Sequence, residues 1–150
     1  MSTEEQNFIK TIYVDKANKK IIAPIVLIII SILTYIFPLI LGDFDFGIIF
    51  EGSSFVFMIV SKFYMSKYIE SKAMICNIIS MLFIGWILVY DILLLISNII
   101  NGVFIYYFGE TLPVFIIILL FTVHTDLYKA NNPEKLKENT DWFYENYNKK

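Results

Sequence analysis

Residues 21–41 form a run of 21 residues without a charge, and three further apolar blocks follow at 47–64, 73–97 and 103–124. Each of the later three holds only one or two of Asp, Glu, Lys or His. At 1.5 Å per residue, a helix of ~20 residues spans ~30 Å, the thickness of a bilayer's hydrocarbon core. Lipid offers no partners to backbone N–H and C=O groups, so such blocks enter it as helices that satisfy themselves. The composition agrees, at 57% hydrophobic with a mean hydropathy of +0.65. These features predict an all-α integral membrane protein, a four-transmembrane-helix bundle made of two antiparallel hairpins. One membrane domain covers 21–128, flanked by polar segments 1–20 and 129–150. Twenty mostly polar residues precede the first block, it exceeds the ~7–15-residue core of a secretory signal, and no small-x-small site follows it. It is expected to stay as an anchor.

Lysine placement predicts the topology. Lys10, Lys16, Lys19 and Lys20 precede the first block, and Lys62, Lys67 and Lys72 end the second block or lie in the link to the third. Lys129, Lys135, Lys137, Lys149 and Lys150 follow the fourth, completing the chain's 12. The loops 42–46 and 98–102 carry none, and the first contains Asp43 and Asp45. Positively charged loops resist translocation, so both termini are expected in the cytoplasm, with the protein in the plasma membrane. Phe44, Phe46, Tyr106 and Tyr107 would form the outer aromatic girdle, and Phe63, Tyr64, Tyr68 and Tyr128 the inner one.

Several function classes lose support at once. Cys76 is the single cysteine and His124 the single histidine, which argues against disulfides, Cys-x-x-Cys redox chemistry and His-rich metal sites. There is no arginine, hence no bidentate clamp for phosphate or carboxylate. A formal charge of −2 gives no general attraction to nucleic acid. No cofactor, metal or catalytic residue is expected.

Both ends read as short amphipathic helices. Thr3 and Gln6 have capping-box spacing, and Phe8, Ile9, Ile12 and Tyr13 then form an apolar stripe. Asn132 and Pro133 suit a second helix start, with Leu136, Thr140, Phe143 and Tyr147 on one face and Trp142 beside them. These ends are expected along the inner leaflet as anchors, or as docking sites for a membrane-protein partner.

Polar residues inside the blocks share faces. At 100° per residue, Pro24, Ser31, Thr34, Tyr35 and Pro38 fall within about 100° of arc, and Glu51, Ser54 and Lys62 within about 80°. Asn77, Ser80, Asp91 and Asn98 fall within about 60°, and Glu110 and His124 within about 40°. Stripes that face one another would either glue helices by hydrogen bonds or line a path. From the outer ends of their blocks, Glu51 lies about 6 Å in, Asp91 about 9 Å and Glu110 about 10 Å. That makes Asp91, Glu51 and Glu110 a candidate intramembrane acid cluster. Asn77, Ser80, Ser54, Thr34, Tyr35 and His124 form a candidate polar lining. A dry site would keep some of the acids protonated, whereas a wet one would be an anionic vestibule. Glu51 is near enough to the block's end that plain solvation is the simpler reading for it. Asp91, flanked by Ile87, Leu88, Leu94 and Leu95, is the acid expected to be interior. Lys62 should snorkel toward the cytoplasm, Trp86 should pack, and His124 should sit at a helix end. Pro113 would kink the fourth helix near Glu110. A weak self-similarity between 46–57 and 104–115 would relate the hairpins by a pseudo-twofold.

The reading that follows is a non-catalytic accessory or partner-binding membrane subunit. Its alternative is a homo-oligomeric proton- or cation-coupled transporter or channel using the acids. A membrane-embedded enzyme stands third. The topology is checked with single cysteines in a Cys76→Ala background. Cysteines at Lys67 and Lys149 should react with a membrane-impermeant maleimide only after the cell is opened, and one at Asp43 in intact cells; the reverse pattern would invert the orientation.

Overall fold

The computed structural model describes residues 3–42, 47–101 and 111–133, with the backbone alone over 35–39. The described residues form five helices and no strand: α1 Thr3–Lys20, α2 Ile22–Ile40, α3 Gly47–Ser66, α4 Glu70–Ile100 and α5 Leu112–Asn131. Four stretches are long and apolar enough to cross a membrane: Thr3–Thr34, Gly47–Ser66, Glu70–Ile100 and Leu112–Asn131. The first three apolar blocks thus coincide closely with α2, α3 and α4. The fourth is displaced. α5 begins at Leu112 and runs seven residues past His124, the expected end.

Pro113 explains the start of α5. It lies in the helix's first turn, where its missing N–H leaves no intrahelical bond unmade, so it opens the helix and does not kink it. The proline that interrupts a helix is Pro24. Ile21 N–H donates to Ala17 O at 3.0 Å and Ile25 N–H to Ile21 O at 3.2 Å, so helical bonding runs across the α1–α2 junction. Pro24 has no N–H to offer the Lys20 carbonyl, and the junction falls at that missing bond. At 1.5 Å per residue, Thr3 to Ile40 amounts to about 57 Å of helix in two pieces, nearly twice a hydrocarbon core.

The closest pairing is α3 with α4, which run antiparallel. α3 buries Glu51, Ser54, Met58, Ser61 and Met65, a three–four spacing along one seam. α4 answers with Ala73, Cys76, Asn77, Ser80, Ile84 and Ile87. Of the two loops read from the sequence, residues 43–46 of the first and 102 of the second lie outside the described residues, and the second is not a five-residue loop at 98–102, because α4 continues through Ile100. Among described elements the tightest hairpin is the one turned by residues 67–69. There Ile69 N–H reaches Tyr64 O at 2.9 Å and Tyr68 N–H reaches Met65 O at 3.0 Å, a Schellman-type helix end. Tyr68 takes the left-handed position, with φ 54°, that glycine usually fills. Its phenol donates to Asp15 Oδ1 at 3.1 Å, which ties the turn to α1.

α1 corrects the expectation of a terminal helix lying on the leaflet. Of its expected stripe Ile9 and Tyr13 are buried and Phe8 and Ile12 half-buried, Val14 and Ala17 complete the buried face, and the helix packs chiefly on α5, then on α3. Polar contacts hold it on every side. Lys10 pairs with Glu70 at 2.8 Å, Lys62 donates to Asn18 Oδ1 at 3.1 Å, and Lys20 pairs with Asp126 at 2.6 Å. Lys16 and Lys129 approach the Tyr13 ring at 5.0 and 5.5 Å from α1 and α5. Lys62 therefore reaches for α1 and is not left to snorkel. The stripe expected in the tail at 136–147 lies outside the described residues.

Around the bundle α2 touches α3 and α5, α3 touches α4, and α4 touches α5. The core is filled by Ile21, Ile28, Met58, Ile84, Ile116, Leu120, Val123 and Leu127, each 0% exposed. Trp86, expected to pack, is exposed on α4 with its ring tilted toward Phe50 at 6.5 Å.

Two outcomes test α1's docking. Lys20→Met should lower the thermal midpoint in detergent by the equivalent of about 1–3 kcal/mol, because it leaves Asp126 buried without its cation. Adding Asp126→Leu should restore part of the loss; a single variant as stable as wild type would remove the ion pair from the docking. The Asp15 carboxylate holds the Tyr68 phenol above its ordinary range. That tether is complete below the phenol's ordinary range and is lost as pH rises through its folded value, so α1 amides should exchange faster only at strongly alkaline pH.

Candidate functional site

The interior contains a seam of buried polar residues: Ser31, Glu51, Ser54, Ser61, Asn77 and Ser80, with Asp126 at the α1 end. Each interior member bonds across to another helix. Ser31 Oγ donates to Glu51 Oε1 at 2.7 Å, joining α2 to α3. Ser54 and Ser80 hydroxyls lie 2.7 Å apart, and each also reaches the other's backbone carbonyl at 3.2 Å. Ser61 donates to Ala73 O at 2.8 Å, and Asn77 Nδ2 donates to Leu120 O at 3.1 Å, joining α4 to α5. Only small side chains allow this. Ser54 and Ser61 are seven apart on α3, Ala73 and Ser80 seven apart on α4, so the two backbones approach where a larger residue would separate them.

Glu51 overturns its own expectation. The carboxyl thought to be solvated is 0% exposed, while Asp91, thought to be interior, is only half-buried. The α3–α4 register explains the exchange. The Ser54–Ser80 and Ser61–Ala73 pairs set Glu51 level with Phe83, and Asp91 lies eight residues beyond, about 12 Å along α4. The two acids therefore do not share a depth. From Ile92 to Ser97 α4 is exposed throughout, so Asp91 sits where α4 leaves its packed stretch. Glu110, the third acid, lies outside the described residues.

The proposed lining divides in the same way. Asn77, Ser80 and Ser54 are fully buried and meet. Thr34 is exposed and its hydroxyl bonds back to Ser31 O within its own helix, at 2.6 Å. The Tyr35 side chain lies outside the described residues. His124 is half-buried on α5, one turn after the Leu120 carbonyl that Asn77 holds. Asn77 Oδ1 and His124 Nδ1 are buried with no hydrogen-bond partner among the described residues. Neither Ser61 nor the Lys20–Asp126 pair was singled out from the sequence. The seven-residue repeat of small residues carried a signal for Ser61, and Asp126 was hidden because the fourth block was taken to end at 124.

No group of three or more His, Cys, Asp or Glu residues that could hold a metal ion occurs among the described residues. No protein-family model, no curated protein and no solved structure matches the chain. Chemically, the seam joins helices and, among the described residues, contains two acids, Glu51 in its interior and Asp126 at the α1 end. A double-mutant cycle on Ser54→Ala and Ser80→Ala, read by thermal unfolding in detergent, should give a coupling of about 0.5–2 kcal/mol. Additive effects would show that the hydroxyl pair does not bridge α3 and α4.

Proposed function

We propose that this chain is a non-catalytic accessory or partner-binding subunit of the plasma membrane, with both termini in the cytoplasm. The observation that carries this reading is how its interior polar groups are used. Ser54, Ser61, Ser80 and Asn77 all bond directly to a neighbouring helix, between fully buried apolar side chains. Such an interior holds helices in place. The rest of the surface offers α4's long apolar flank, including Leu82, Trp86, Val89 and Leu93, to lipid or to another membrane protein. The protein should co-purify stoichiometrically with a second membrane protein in mild detergent, and deletion of 134–150 should weaken that association. Recovery of homo-oligomers alone would count against the reading.

The buried Glu51 favours a second reading, proton- or cation-coupled transport by a homo-oligomer, since ionisable residues inside membrane bundles mark ion paths by default. Liposomes holding the wild type should then pass protons or cations above empty liposomes, and Glu51→Gln should abolish the flux while Asp91→Asn leaves most of it. No flux above background would leave the partner-binding reading alone.

A further inference from the structure

We propose that Asn77 and His124 together form a binding site for one internal water molecule between α4 and α5. The site is independent of partner binding and of ion flux. It begins with the bonds Asn77 already makes. The side-chain amide nitrogen donates to Leu120 O at 3.1 Å and to Met81 Sδ at 3.7 Å. A carbonyl accepts only from the NH2 end of a carboxamide, so the orientation of Asn77 is fixed. Oδ1 is the end that still requires a donor. It is buried without a hydrogen-bond partner among the described residues, on a side chain that is 0% exposed.

His124 is the second member. In α5 the Leu120 carbonyl that Asn77 holds is also the helical acceptor of the His124 N–H, four residues on. The α4–α5 register brings the imidazole to the same place. Ile117 lies against Gly85, where an added Cβ would meet its Cδ1 at 3.8 Å, and Asn131 Nδ2 reaches Met74 Sδ at 3.8 Å. His124 is seven residues from Ile117 and from Asn131, so all three share the face of α5 turned to α4. Its level on α4, midway between Gly85 and Met74, is at residues 79–80, within one turn of Asn77. His124 Nδ1 is likewise buried with no hydrogen-bond partner among the described residues.

The chemistry of the two atoms selects the ligand. A buried polar atom left unpaired costs its full desolvation, so a group that joins both is favoured. Oδ1 can only accept, so that group must donate. Ser80, at the same level, already exchanges bonds with Ser54 on α3. Ile84, Leu120 and Val123, each 0% exposed, make the flanks apolar, which penalises a charged donor. A water molecule is neutral and small, and an internal water is held by two or more polar partners. It donates to Asn77 Oδ1 and, according to the imidazole tautomer, donates to or accepts from His124 Nδ1. The water ties α4 to α5 beside the direct Asn77–Leu120 bond.

The test uses isotope-labelled full-length protein with a histidine-free purification tag, reconstituted in lipid vesicles for solid-state NMR. His124 is the chain's only histidine, so its ring nitrogens are assigned without mutants. In the wild type, Nδ1 should have the chemical shift of a hydrogen-bonded nitrogen and should receive magnetisation from water. Asn77→Leu, close in shape but lacking the oxygen, should abolish that transfer and move the Nδ1 shift. If Asn77→Leu does not fold, as judged by gel-filtration elution, the wild-type spectrum decides alone. A wild-type Nδ1 without water transfer, or one bonded to a side chain of the protein, would overturn the proposal. So would transfer that persists unchanged in a folded Asn77→Leu.

Discussion

The close approach of α3 and α4 is the constraint on which the other contacts depend. In lipid there is no hydrophobic gain in burying leucine against leucine, so helices are held by packing and by bonds between polar groups. Ser54, Ser61, Ala73 and Ser80 keep the facing surfaces low enough for hydroxyls to reach the partner's backbone. That contact sets a register, and the register decides the rest. It carries Glu51 to the interior beside Ser31, brings Asn77 to the α5 backbone, and leaves Asp91 where α4 emerges.

The α1 end is organised by a different force. Here lysines and carboxyls face water or each other, and the Lys10–Glu70 and Lys20–Asp126 pairs join α1 to two helices at once. Asp126 is 5% exposed, so it needs its cation more than Lys20, whose side chain is 47% exposed, needs its anion. The strained Tyr68 turn joins the same network through Asp15. Burial of Ile9, Tyr13, Val14 and Ala17 on the bundle means that α1 belongs to the fold. Its apolar stripe is not left over for the membrane surface.

These two regions divide the labour of the molecule. Around Ser54 and Ser80 the contacts are short-ranged and insensitive to pH. Among the described contacts, Glu51 is the buried acid of this seam's interior, and it accepts from Ser31 on α2.

The sequence by itself determined that helices of membrane-spanning length exist and nearly where three of them lie. Backbone groups must be satisfied locally in lipid, so apolar run length is enough to read them. It also marked Ser54, Asn77 and Ser80 as sharing interior faces, because helical period is a local property. Only the tertiary structure decided which acid is buried. Depth measured from block ends ranked Asp91 above Glu51, but burial follows the antiparallel register of α3 on α4, which two hydroxyl bonds fix and no single segment contains. For the same reason α1 read as amphipathic without revealing its partner, since a stripe shows that a helix has an apolar face and not which surface covers it.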